Sequence, residues 1–250
     1  MIPDTAYEHH KLEQLSHWNR VASRKPSALA RHYHQRVHAT YRLNIAPNLH
    51  VLEFGCGQGD LLAAVQPSHG LGLDLSPDMI QTARARHPHL RFEIADVHEY
   101  SSSERFDVVI LSDLIGSLFD VQEVFERARI HCKPDGRIIM NFFSHLWEKP
   151  LCWAGALGLA LPAPPQNWLT PDDVTNLLYL TGSEPVRQWT EFIFPFPVPL
   201  IEPLCNRYLA RLWPTYALSL SNFIVARPQP VPRPLSGPES PSVSVIIPAR

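Results

Sequence analysis

The segment "VLEFGCGQGD", residues 51–60, runs an apolar stretch straight into three glycines at alternate positions, Gly55, Gly57 and Gly59. A strand that breaks into a glycine turn and re-forms as a helix brings backbone N–H groups up to a bound nucleotide. The chain keeps that alternation afterwards. Strand-like runs fall at 50–55, 70–75, 90–96, 105–112 and 136–143, with two more candidates at 186–194 and 218–226. The helices between them are punctuated. Ser76 stands as a cap before Pro77 at the first helical position, and Asp120 with Glu123 reads as a capping box. Thr170, Pro171 and Gly182 bracket another helix. "KPDG" (133–136) reads as a turn whose φ is set by Pro134. Strands alternating with helices predict right-handed crossovers and a doubly wound, parallel sheet.

The glycine spacing narrows the ligand. A dinucleotide fingerprint needs G-x-G-x-x-G, and here the third glycine comes one residue early. Glu53, at the end of the strand, would repel a pyrophosphate but suits a ligand that carries positive charge. S-adenosylmethionine, with a sulfonium and an ammonium and no phosphate, fits; a nicotinamide dinucleotide is the disfavoured alternative. Asp74 ends the second strand, 19 residues past Gly55, where a carboxylate can accept from both ribose hydroxyls. Asp96 ends the third, placed to accept from an adenine amine. Three acids at three successive strand ends share the edge at which open α/β sheets bind ligands.

Residues 50–143, extending through 226, resemble a class I S-adenosylmethionine-dependent methyltransferase. The matching motifs are "VLEFGCGQGD", "GLDLSPDMI", "FEIADVHEY", "FDVVILSDLIGSLFD" and "KPDGRIIM". The resemblance implies an α/β fold: a Rossmann-like, doubly wound, seven-stranded sheet, mostly parallel with an antiparallel last strand, plus N-terminal helices. It also implies a cofactor site built from Glu53, Gly55, Cys56, Gly57, Gly59, Asp74, Leu75, Met79, Asp96, Val97, Ser112 and Asp113. Glu53 would hold the amino group, Asp74 the ribose, and Asp96 with the Val97 backbone the adenine. Ser112 and Asp113 would face the methionyl moiety.

Composition sets the remaining bounds. With 45% hydrophobic residues, 18% charged and a net charge of −2, nothing in the overall balance favours nucleic acid. The four cysteines, Cys56, Cys132, Cys152 and Cys205, form no CxxC pair and read as reduced thiols of a cytoplasmic protein. Residues 1–45 read as a basic helical cap, with seven Lys/Arg against three Asp/Glu. His32, His34 and His38 invite a metal, yet no acid or cysteine stands at ligand spacing, so none is expected. The most apolar stretch, 151–161, is 11 residues long, about half of the roughly 20 a membrane span needs. A peripheral membrane contact is the most it suggests.

The expected organisation is a cap (1–45), a methyltransferase domain (46–226) with inserts at 146–168 and 195–216, and a Pro-rich linker (227–241). In the second insert Ile201, Leu204, Tyr208 and Leu212 share a helical face. The final "PSVSVIIPAR" resembles the first strand of a family 2 glycosyltransferase, so 242–250 read as the start of a truncated second domain and a partner within the full-length chain. Residues 164–178 also resemble bacterial proteins with that fusion. The cap helices and the two inserts, with Trp147, Trp153, Trp168, Phe194, Phe196 and Trp213, would wall an acceptor pocket. A small-molecule or lipid-linked glycan acceptor follows, with His145 as the candidate general base. A non-catalytic module that binds S-adenosylmethionine and regulates the glycosyltransferase is the alternative.

Overall fold

The computed structural model of the chain describes residues 5–156, 164, 166–192 and 218–230. Two helices, α1 (Thr5–Ala22) and α2 (Ala28–Asn44), precede the first strand. β1 (His50–Phe54), α3 (Asp60–Ala64), β2 (His69–Asp74), α4 (Pro77–Arg86), β3 (Arg91–Ile94) and β4 (Phe106–Ser112) follow. Then come α5 (Val121–His131), β5 (Cys132–Phe143), α6 (Glu148–Ala156), α7 (Pro171–Leu180), β6 (Ser183–Glu191) and β7 (Ser221–Pro228).

The seven strands form one sheet in the order β3-β2-β1-β4-β5-β7-β6. β7 runs antiparallel to both β5 and β6, while the pairings among β1 to β5 are parallel. The expected sheet and its single reversed strand are thus observed. From β3 the chain crosses to the far side of β1 to lay down β4, and such a switch point opens a crevice beyond the strand ends.

Period-two patterning explains why both faces need covering. Leu52, Phe54, Leu71, Leu73, Val109 and Leu111 face α5 and α7, packing on Val124, Phe125, Val174 and Leu178. Val51, Val108, Ile110 and Ile139 face the opposite layer, with Val37 and Tyr41 of α2, Leu62 of α3 and Ile80 of α4. A sheet buried on both sides reads as continuous apolar runs, as at residues 108–111.

Three local expectations change. Residues 133–136 do not break β5; they bulge opposite Asp107, where the pairing jumps from Phe106–Cys132 to Val108–Arg137 and Lys133 Nζ meets Asp107 Oδ1 at 2.6 Å. β6 starts three residues early, at Ser183, and takes Pro185 into a register shift. An edge strand tolerates a proline that a central one would not. The α5 capping box is half made. Asp120 accepts from the Glu123 N–H at 3.0 Å, but Glu123 turns to Arg127 and the Asp120 N–H goes to His98 Nε2. The box at Thr170 and Asp173 closes reciprocally. The helical face at 201–212, the residues from 231 onward, Cys205, Phe194, Phe196 and Trp213 lie outside the described residues.

Candidate functional site

The carboxyl ends of β1, β2 and β3 deliver Glu53, Asp74 and Asp96 to one edge, around the glycine loop. All three loop glycines adopt left-handed φ, +69° at Gly55, +52° at Gly57 and +78° at Gly59, which side chains rarely accept. Asp74 ties the loop to the next turn: its Oδ2 accepts from the Gly57 N–H at 2.8 Å and its Oδ1 from the Ser76 N–H at 2.9 Å. Burial raises its affinity for a proton, against the pull of those two donors. Ser76 caps α4 by accepting from the Met79 N–H, and Met79 is buried behind it; Leu75 is half-buried in the turn between.

Glu53 is 2% exposed, and burial holds its carboxyl well above the usual range, opposed by the Leu62 backbone N–H of α3. Among the described residues its Oε2 has no hydrogen-bond partner. Burial, and then the nearby Glu53 charge, push the Cys56 thiol up.

Asp96 departs most from expectation. Its Oδ2 accepts from Tyr7 Oη at 2.6 Å and Lys11 Nζ at 2.9 Å, and its Oδ1 from the backbone and Nδ1 of His98, both at 3.0 Å. These donors, from His98, Tyr7 and Lys11, outweigh burial and keep the carboxyl well below the usual carboxylate range. Val97 beside it is packed into the core. No local motif signals that helix α1 reaches this acid.

At the end of β4, Asp113 has φ +51°. Its Oδ1 accepts from Tyr33 Oη of α2 at 2.8 Å and from Asn141 Nδ2 of β5 at 2.6 Å. Tyr33 Oη also meets Ser221 Oγ at 3.0 Å, while Tyr41 Oη and Ser112 Oγ donate to Asn141 Oδ1 at 2.9 and 2.8 Å. Burial raises the proton affinity of Asp113, opposed first by the charge of His34. Asp113 lines a cleft with Gly116, Phe142, Phe143, Gln166, Asn167 and Trp168. Tyr33 and Tyr41, two turns apart on α2, and the lone amide Asn141 in an apolar strand were the readable signals of this network.

His145 lies elsewhere. It opens a 3-10 turn (His145–Trp147), is exposed, and its charge acts on Asp173 at the start of α7; it is not among the residues lining the cleft. Trp153 is exposed and Trp147 donates to the Leu218 carbonyl, so of the described tryptophans expected to wall a pocket only Trp168 lines this cleft.

Among the described residues no group of three His, Cys, Asp or Glu could hold a metal ion. Burial instead lowers the His38 pKa to about 4, with His34 adding to it. The unfolded chain therefore binds a proton near pH 6.5 that the folded chain refuses until about 4. Stability falls across that window as pH drops. His38→Gln should narrow its stability deficit against wild type, or reverse it, on going from pH 7 to pH 5 in urea denaturation; a deficit independent of pH would contradict this.

An open α/β sheet with a glycine loop on β1 and acids ending β1 to β3 defines a Rossmann-like fold of the methyltransferase kind. Solved structures agree on that fold. They include the N-methyltransferase NodS from Bradyrhizobium japonicum bound to S-adenosyl-l-homocysteine (TM-score 0.61, 13% identity, 86% of this chain and 98% of that one). They also include a DhpI–SAH complex (TM-score 0.61, 17% identity, 90% and 99%). Residues 52–138 match the family model described as a methyltransferase domain. Over those residues the chain is similar to methyltransferase domains, a likeness that supports S-adenosylmethionine as its cofactor.

Curated relatives include the ubiquinone biosynthesis O-methyltransferase of Bradyrhizobium diazoefficiens, 28% identical over 54% of this chain and 58% of that one. Another is a dTDP-3-amino-3,6-dideoxy-alpha-D-glucopyranose N,N-dimethyltransferase of Streptomyces fradiae, 33% identical over 36% and 38%. The match thus spans 58% of the length of the first of these relatives and less of the second.

Proposed function

We propose that the chain transfers a methyl group from S-adenosylmethionine to a small-molecule or lipid-linked glycan acceptor. The observation that carries this is the row Glu53, Asp74 and Asp96 at three successive strand ends around three left-handed glycines. The residues fit the cofactor. The unpartnered, buried Glu53 Oε2 suits a cation, and a Cβ built on Gly57 would meet nothing within 4 Å, which leaves its backbone open to a ligand.

The cofactor supplies an activated methyl on a good leaving group, so the protein mainly aligns the reactants and excludes water. Asp74, with lone pairs left beside its two backbone donors, holds the ribose. Asp113 is the titratable group on the wall of the cleft, and it is placed to take a proton from a hydroxyl acceptor. The activities named for relatives favour small acceptors: trans-aconitate, a dTDP-amino sugar and phosphoethanolamine. The lipid-linked arm rests on the likeness of residues 242–250 to a glycosyltransferase strand and on the apolar stretch 151–161 as a peripheral membrane contact. Among the described residues no helix is long and apolar enough to cross a membrane.

Calorimetric titration with S-adenosylmethionine, S-adenosylhomocysteine and NAD tests the cofactor: micromolar binding of the first two and none of NAD is expected. Transfer of labelled methyl into a lipid-linked sugar extract, or into a soluble metabolite pool, then separates the two acceptor classes. Asp74→Ala should weaken S-adenosylmethionine by about 1–3 kcal/mol, by loss of ribose hydrogen bonds to a charged group. Unchanged affinity would place the ribose elsewhere.

A further inference from the structure

Helix α1 lies across the cofactor edge and is fastened there from several loops. His10 Nε2 stands 3.0 Å from the Ser117 carbonyl after β4, Ser76 Oγ at the start of α4 donates to Asn19 Oδ1, and Gln58 of the glycine loop reaches the Ala22 carbonyl at 3.4 Å. The Tyr7 ring stands edge-on to His98 and to Phe119, with centroids 5.5 and 5.4 Å away. The strongest tie is Asp96. A carboxylate offers about four lone-pair sites, and here His98 takes two while Tyr7 and Lys11 take the others. Nothing is left for an adenine amine.

We propose that Tyr7 and Lys11 form a latch on the purine-reading carboxylate, and that α1 must release Asp96 before the cofactor can enter. This rests on the proposed cofactor reading. Tyr7 Oη and Lys11 Nζ occupy the position of the incoming amine donor, so ligand and latch compete for one oxygen. Lys11 has somewhere to go: its Nζ is 3.5 Å from the exposed Glu99 carboxylate, which keeps the charge paired when Asp96 is given up. A chain that is latched most of the time binds ligand more weakly, in proportion to the open fraction.

The test is the association of S-adenosylhomocysteine with the full chain, followed by stopped-flow fluorescence. Tyr7→Phe and Lys11→Met each remove one competitor from Asp96 and should raise the association rate about 3–10-fold by raising the open fraction. The double variant Asn19→Cys with Ser76→Cys, oxidised to bridge α1 to the start of α4, should bind at least about tenfold more slowly, and thiol reduction should restore the rate. If that pair does not fold, the Tyr7 and Lys11 variants decide alone. Rates in both at or below wild type overturn the latch while leaving the cofactor reading intact. A wild-type chain that binds no S-adenosylhomocysteine overturns both.

Discussion

Gly57→Ala should abolish measurable S-adenosylhomocysteine binding while the protein stays folded, and Gly59→Ala should do the reverse. Both residues have left-handed φ, +52° and +78°, so each alanine carries a backbone cost of about 1–2 kcal/mol. Their surroundings differ. A Cβ on Gly57 meets no atom within 4 Å, so the fold has no objection to it beyond the φ. On the proposed cofactor reading, that open space is where the loop offers its backbone to the ligand, and a methyl group there keeps the ligand out. A Cβ on Gly59 lands 2.6 Å from Phe92 Cζ and 3.3 Å from the Ala83 Cβ. The Phe92 ring is buried, so it can give way only by disturbing a packed core. Overpacking adds about 1–3 kcal/mol to the backbone cost, so Gly59→Ala loses about 2–5 kcal/mol in all. Urea denaturation and calorimetry on the two variants separate the effects. Normal binding by Gly57→Ala would mean that the ligand does not approach the loop from that side.

The contrast also shows what a sequence can carry. Glycines at alternate positions, an acid closing each of three strands, and Ser-Pro or Thr-Pro before a helix are local signals, legible within a few residues, and the fold follows them. Where an acid's partners lie is not local. Asp96 reads correctly as a strand-end carboxylate, yet Tyr7 Oη reaches it from 89 positions away, and nothing in "TAYEHHKLEQL" announces that α1 crosses the cofactor edge. The surroundings of His145 were hidden for the same reason. Its place just past β5 was legible, but the exposed 3-10 turn that leaves it off the cleft wall was not. At Asp120 and Glu123 the pattern was local and still only half obeyed, because His98 competed for the cap's N–H and Arg127 for the glutamate. A local motif fixes what a backbone can do, and tertiary neighbours choose among those options.

Asn141 is the clearest instance, and its replacement should carry a large stability cost. It is fully buried in β5, in a strand that otherwise reads Ile138, Ile139, Met140, Phe142. Its amide meets four groups at once: Oδ1 accepts from Tyr41 and Ser112, and Nδ2 donates to Asp113 and, at 3.5 Å, to Tyr33 Oη. Asn141→Ala strands the buried Tyr41 hydroxyl and one bond of the Asp113 carboxylate. Each unsatisfied buried group costs about 1–3 kcal/mol, so a loss of about 3–5 kcal/mol with an unchanged denaturant slope is expected. A loss under about 1 kcal/mol would mean that water takes over the amide's bonds. Asn141→Asp probes the same point electrostatically. One new oxygen would still accept from Tyr41 and Ser112, while the other would face Asp113 across the 2.6 Å now spanned by the amide bond. Two carboxylates that close share a proton, which raises the folded-state pKa of the pair above the unfolded value of about 3.9. The variant should therefore approach wild-type stability near pH 4 and lose it as pH rises toward 7, the opposite of the His38 effect. Relative to wild type, parallel melting curves of both variants should show deficits that shrink as pH falls, because Asn141→Asp adds a group that loses stability as pH rises and His38→Gln removes one that loses it as pH drops.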